Sequence, residues 1–136
     1  MKKRSKIIKN ELQSEASIHL QVCQWLKMQY PDTIWTSEAS GQRLTIGQAL
    51  KARKLRSGNG LPDLIILEPR GQYHGLCIEL KKDDPYKKNG ELKADAHLKE
   101  QDKTLNRLSQ KGYYAEFATG FEEAKNLIEQ YLKHDK

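Results

Sequence analysis

Two short apolar runs set narrow limits on how this chain can fold. The first is Leu61-Pro62-Asp63-Leu64-Ile65-Ile66-Leu67; the second is Gly75-Leu76-Cys77-Ile78-Glu79-Leu80-Lys81. Glu68-Pro69-Arg70-Gly71-Gln72 lies between them and reads as a turn. Leu64 to Leu67 is too short for a helix and continuously apolar, which predicts a strand buried on both faces. In the second run alternate side chains share a face. Leu76, Ile78 and Leu80 then point one way, and Cys77, Glu79 and Lys81 the other. Charges on a strand beside a buried one need a physical reason. Paired as a hairpin, the runs bring Asp63 to Glu79 and Lys81 at one edge of a sheet.

The surrounding pattern predicts where that sheet sits. Ser14 caps a helix to about Met28, with Ile18, Val22, Trp25 and Leu26 at helical spacing and Pro31 as its stop. Glu15 heads the same stripe. There it fits either a charge on the helix N-terminal dipole or a carboxylate turned toward the core side. Thr33–Thr36 is a short strand broken by Ser40-Gly41, and residues 45–55 form a basic helix. Ser57-Gly58-Asn59-Gly60 is a flexible loop without a dinucleotide fingerprint, since it precedes a strand and lacks GxGxxG. Residues 83–93 read as a mobile, lysine-rich loop. A helix from about Ala94 to Gln110 follows, ended by Gly112, with a stripe of Leu98, Gln101, Leu105 and Leu108. Gln101 is either a buried hydrogen-bonding group or an edge-of-stripe residue. Tyr113–Ala118 is a strand and Phe121–Leu132 a last amphipathic helix. The strand–helix–strand crossover from Glu79 to Tyr113 should be right-handed and join parallel strands. The class is α/β, a central mixed sheet flanked by helices.

At 136 residues the chain predicts a basic tail over 1–13 and one domain over 14–136. A net charge of +6 suits a polyanion, with a solvated basic surface as the plain alternative. Two cysteines, Cys23 and Cys77, give no disulfide framework and no paired zinc motif. His19 and Cys23 have helical i, i+4 spacing, but two ligands do not make a tetrahedral zinc site, and buried free thiols suit a reducing cytosol. The basic N-terminus has no apolar core of a signal peptide, and no run approaches membrane-spanning length.

Two carboxylates at one sheet edge can hold a hard divalent cation, and a lysine beside them can sit over a scissile phosphate. Asp63 and Glu79 supply side-chain oxygens, and the Leu80 carbonyl another. Lys81 positions attacking water or stabilises developing charge. The competing reading is a surface ion pair between Glu79 and Lys81 beside an unrelated Asp63.

With Pro62-Asp63, Glu79-Leu80-Lys81, then Gln101, Leu105, Leu108 and Gly112-Tyr113, the chain resembles the VRR-NUC branch of the PD-(D/E)XK nucleases over about Ser14 to Leu132. The resemblance implies a restriction-endonuclease-like fold. It carries Glu15 and Gln101 into the catalytic set with Asp63, Glu79 and Lys81. It implies metal held by Asp63, Glu79 and the Leu80 carbonyl, with Glu15 acting through water, and leaves Glu38 out. The lysine-rich loop before Gln101 departs from the shorter serine-bearing loop usual there. The implied activity is Mg²⁺- or Mn²⁺-dependent DNA endonuclease, similar to homodimeric Holliday-junction resolvases acting on branched DNA. The implied setting is the cytoplasm of a bacterial or phage-infected cell. Lys51, Arg53, Lys54, Arg56, Lys82, Lys87, Lys88 and Lys99, with Lys93 and Lys103, are the candidate phosphate contacts. The rival readings are a non-catalytic DNA-binding module, a restriction enzyme of the same superfamily, and an RNA-directed nuclease.

Overall fold

The computed structural model describes residues 14–38, 45–58 and 60–134. The basic tail, the Ser40-Gly41 break and Asn59 lie outside the described residues. The described chain runs α1 (Glu15–Gln29), β1 (Trp35–Ser37), α2 (Ile46–Lys54), β2 (Leu64–Ile66), β3 (Leu76–Lys81), α3 (Ala96–Gln110), β4 (Tyr114–Thr119) and α4 (Gly120–Leu132). This is the order the sequence predicts.

The four strands form one sheet in the order β1-β2-β3-β4. β1 pairs antiparallel with β2 and β2 with β3, while β3 and β4 are parallel through the α3 crossover. Opposed residues share a face, so Leu64 and Ile66 stand with Ile78 and Leu76. That face is the apolar one. Leu64, Ile66, Leu76, Ile78, Leu80 and Ala118 bury against Ile18, Val22 and Leu26 of α1 and Ala124, Ile128 and Tyr131 of α4. The other face carries Cys77, Glu79 and Lys81, with α3 packed over β3 and β4. Two helices therefore seal the core, and a third covers the charged face.

Local chemistry sets the helix ends. The Ser14 hydroxyl accepts the Ser17 amide at 3.1 Å, starting α1 where the sequence predicts. α3 begins two residues later than its periodicity implies, because Asp95 caps it by accepting the amides of His97 and Leu98 at 2.8 and 3.2 Å. Gly112 ends it at φ +97°, and the Tyr113 amide reaches back to the Leu108 carbonyl at 3.1 Å. A Cβ at Gly112 would lie 2.6 Å from the His74 ring, so both backbone and space call for glycine there.

Three expectations need correction. β1 is Trp35–Ser37 rather than Thr33–Thr36, because the β2 register pairs Trp35 with Ile66 and Ser37 with Leu64. Leu67 leaves the sheet and is 51 % exposed, so β2 is fully buried only at Leu64 and Ile66. Residues 83–93 are a tied turn rather than a mobile loop. Tyr86 bridges Leu92, the Lys87 amide donates to the Glu91 carbonyl at 2.7 Å, and the Lys93 amide donates to the Pro85 carbonyl at 2.9 Å. The Tyr86 ring anchors the turn edge-on to Phe117, with centroids 6.1 Å apart.

Candidate active site

The β2–β3 register places Asp63 directly opposite Glu79, one step beyond the Leu64–Ile78 pair. Asp63 turns its carboxylate onto β3 and accepts the Leu80 amide at 2.8 Å. By the same register Pro62 stands opposite Leu80. Proline has no N–H to give, so the Leu80 carbonyl is not met by the ladder donor another residue would supply. The proline–aspartate pair thus does two things at the strand end. One residue takes the Leu80 amide, and the other leaves the Leu80 carbonyl free of a β2 amide.

Glu79, Lys81 and Gln101 are only 4, 7 and 5 % exposed. Buried polar groups of this kind are expected to be paired, and here the pairing is incomplete. Gln101 donates its amide to Glu79 Oε1 at 2.8 Å. Glu79 Oε2 and Gln101 Oε1 are buried with no hydrogen-bond partner. The Gln101 amide also lies 3.2 Å from His97 Nε2. Since the amide nitrogen donates, that His97 nitrogen accepts, which assigns the proton to Nδ1. Lys81 Nζ reaches Glu15 Oε2 at 3.9 Å, across from β3 to the first turn of α1. Burial pushes the Glu79 carboxyl far above the usual carboxylate range, and the facing Asp63 charge pushes it further, against the opposing pull of Lys81. A group so destabilised as an anion, with an oxygen left open, is suited to a cation.

Asp63, Glu79, Lys81, Gln101 and Glu15 all line one cleft of about 1300 Å³. The sequence-predicted catalytic residues are therefore brought together. Among the described residues no three His, Cys, Asp or Glu side chains gather closely enough to hold a metal by themselves. Glu15 accordingly stands off from the Asp63–Glu79 pair, on the lysine. Of the predicted phosphate contacts, Arg53, Arg56 and Lys82 line the cleft. Lys51, Lys54, Lys87, Lys88, Lys93, Lys99 and Lys103 are exposed and lie outside its lining. α2, which carries Arg53 in its last turn, starts with a capping box in which the Thr45 amide donates to Gln48 at 3.0 Å and the Gln48 amide to Thr45 at 3.1 Å. Arg56 is fixed by Glu38 at 3.4 Å, and the Glu38 amide donates to the Asp63 carbonyl at 2.8 Å. Glu38 thus supports an arginine through its side chain and Asp63 through its backbone.

Sequence reasoning missed His97, and read His19 and Cys23 as a zinc pair or, for the cysteine, a buried free thiol. His97 precedes Gln101 by one helical turn, a spacing that was available as a signal. His19 and Cys23 line the same cleft, together with Ser37 of β1. Cys23 is half-buried rather than buried, whereas Cys77 is buried as expected.

A mixed sheet flanked by helices, with an Asp–Glu pair and a lysine at adjoining strand ends, defines a nuclease-like domain of the PD-(D/E)XK kind. A solved structure described as a "VRR_NUC domain protein" is similar to this chain at TM-score 0.62 and 30 % sequence identity, over 91 % of this chain and 92 % of that one. The chain belongs to the VRR-NUC family. No family model matches it, and no curated protein does. Among the described residues no helix is long and apolar enough to cross a membrane.

Proposed function

We propose that this protein is a metal-dependent DNA endonuclease that hydrolyses phosphodiester bonds, acts on branched DNA, and works as a homodimer that makes paired cuts. The observation that carries this reading is the buried, unpartnered Glu79 Oε2 beside Asp63, with Lys81 in the same cleft. The donor set fits Mg²⁺, with Mn²⁺ as a substitute: two carboxylates and the Leu80 carbonyl are hard oxygen ligands that leave positions for water. Glu15 would act through one of those waters. A cation held there supplies charge neutralisation at the phosphate and lowers the pKa of the attacking water.

The remaining chemistry belongs to the chain. Gln101 orients Glu79 by holding Oε1, which leaves the buried Oε2 without a protein hydrogen bond. Lys81, held by Glu15, carries a buried positive charge toward the phosphate oxygens, where charge grows in the transition state. Arg53, Arg56 and Lys82 hold the phosphate backbone without reading bases. A purely DNA-binding role has no use for a buried carboxyl set against Asp63, where burial and the Asp63 charge keep it from ionising unless a cation compensates it.

The cleft arginines should dominate binding. Replacing Arg53 and Arg56 together with glutamine is expected to lower the slope of log affinity against log salt by about 1–2, since Arg56 is shared with Glu38, and Lys51 and Lys54 by less. The measurement is fluorescence anisotropy of labelled duplex DNA across a salt series. Equal slopes for the two double variants would remove the cleft from DNA binding.

The activity itself is tested by incubating the protein with linear, flap, splayed-arm and four-way-junction DNA in Mg²⁺, Mn²⁺ or chelator, beside Asp63→Ala. Metal-dependent cutting that the variant lacks, with DNA binding kept, is the expected result. Paired symmetric nicks in the junction would support the dimeric, branched-DNA form of the proposal. Cutting that survives in Asp63→Ala would overturn the site. Cutting of RNA but not of any DNA substrate would redirect the reading to RNA.

A further inference from the structure

The wall of the cleft carries a second chemical cluster that phosphodiester hydrolysis does not use. His19 and Cys23 lie one turn apart on α1, and Ser37 of β1 stands against both. Ser37 Oγ is 3.0 Å from His19 Nε2 and 3.2 Å from Cys23 Sγ. All three line the cleft, and Cys23 is only half-buried there. Structural thiols sit in apolar surroundings and are inert, while reactive ones sit among polar donors and cations with partial exposure. Cys23 packs against the core on one side and has the second environment on its cleft side, where Ser37 meets it. Burial raises its pKa, but bonds to His19 and Ser37 and the charges of His19 and Lys27 more than reverse this, leaving the thiol below its ordinary value. His19 is correspondingly raised, first by its bond to Cys23, against burial, and then by the Cys23 and Asp63 charges. Cys77 has the first environment. It is buried within β3, and burial pushes its thiol up to about 11. One chain thus contains a poised thiol and its own inert reference.

We propose that Cys23 is a modification site, a reactive thiol at which a low-molecular-weight disulfide reversibly caps the cleft. The Cys23 thiolate attacks one sulfur of the reagent's S–S bond. That bond breaks, a Cys23 mixed disulfide forms, and the departing thiolate carries off the electron pair. His19 holds the proton that Cys23 gives up and releases it to solvent. Cys23 is oxidised and half of the reagent reduced, with no other reactant needed. The adduct occupies the cleft that holds Asp63, Glu79 and Lys81. The consequence for DNA rests on the proposed function; the reactivity of Cys23 does not.

The test titrates the metal-free full chain at pH 7 with 5,5′-dithiobis(2-nitrobenzoate), following release of the coloured thiolate. One thiol per chain is expected to react at least roughly tenfold faster than the other. Cys23→Ser should lose the fast phase and Cys77→Ser keep it. His19→Gln should slow the fast phase about tenfold at pH 7, with the gap closing as pH rises and the thiol ionises without help. A merely structural histidine would not produce that convergence. Two equally slow thiols, or a fast phase that survives in Cys23→Ser, would overturn the proposal. DNA binding of the capped protein, measured without metal, should fall at least about tenfold and return with dithiothreitol, while Cys23→Ser treated alike stays unchanged. Unaltered binding by the capped protein would overturn the capping. If the uncapped protein fails to bind DNA, the DNA reading falls and capping of a DNA cleft falls with it, whereas the thiol titration still decides Cys23.

Discussion

Glu79→Gln is expected to make the metal-free protein more stable while abolishing metal-dependent cleavage. The two effects have one cause. Glu79 is 4 % exposed, faces Asp63, and has an oxygen without a partner, so its charged form is strongly disfavoured in the fold. In the unfolded chain the same carboxyl ionises at its ordinary value. Between that value and the raised folded one, the native state holds a proton that the unfolded state has released. Stability therefore falls as pH rises through this window. Glutamine keeps the shape and the bond to Gln101 in a flipped or unflipped amide, and has nothing to ionise. It should stabilise the metal-free protein by roughly 1–3 kcal/mol at pH 7 and flatten the pH dependence of its melting temperature. Below the ordinary carboxylate range, where Glu79 is neutral in both states, the gain should vanish. Cleavage should drop at least about a thousandfold, which corresponds to roughly 4 kcal/mol of barrier. Mg²⁺ should raise the melting temperature of the parent, more at higher pH because the cation displaces the Glu79 proton, and leave the variant unmoved. Calorimetry from pH 4 to pH 9, with Mg²⁺ and with chelator, checks all of this. A variant less stable than its parent at pH 7 would mean that Glu79 is satisfied as it stands.

Why the carboxylate pair could be read from sequence, while its neighbours could not, follows from the kind of signal each leaves. Asp63, Glu79 and Lys81 lie on two strands joined by a short turn, where a period of two fixes the face and the turn fixes the register. Gln101 and Glu15 lie on helices whose apolar stripes point at the sheet, so their side of the helix was legible but their partners were not. The Gln101–Glu79 bond spans 22 residues, and it forms only because α3 lies in the crossover that makes β3 and β4 parallel. Ser37 gave no signal at all, because its meeting with His19 and Cys23 depends on the pairing of a three-residue edge strand. Residues 83–93 misled through composition. Their lysines and glycine suggest mobility, yet the Asp84 and Asn89 side chains accept the amides of Tyr86 and Glu91 at 2.9 and 3.0 Å and close the turn locally. Which basic residues line the cleft was illegible for the opposite reason: charge is visible in a sequence, but its direction from an exposed helix is not.

Lys81→Met should separate the cation site from the chemistry. The lysine is 7 % exposed and has a carboxylate partner only at 3.9 Å, on a Glu15 side chain that is 45 % exposed. Removing it leaves no stranded buried charge, since water can solvate Glu15, and methionine refills the volume. Global stability should change by less than about 1.5 kcal/mol. Lys81 also pulls the Glu79 pKa down, so its loss pushes that carboxyl still higher. Mg²⁺-induced stabilisation should therefore persist in the variant but appear at a higher pH than in the parent. The rate should fall by roughly 10²–10³, as for the loss of one positive group aimed at developing charge. It should remain low even at the pH where metal binding is restored. That divergence is the decisive readout. If raising the pH recovered both metal binding and rate, Lys81 would act only by tuning Glu79. A rate that stays down while the cation is bound would put the Lys81 ammonium on the phosphate itself. Glu15→Gln, which frees the lysine without removing it, should then cost no more than about tenfold.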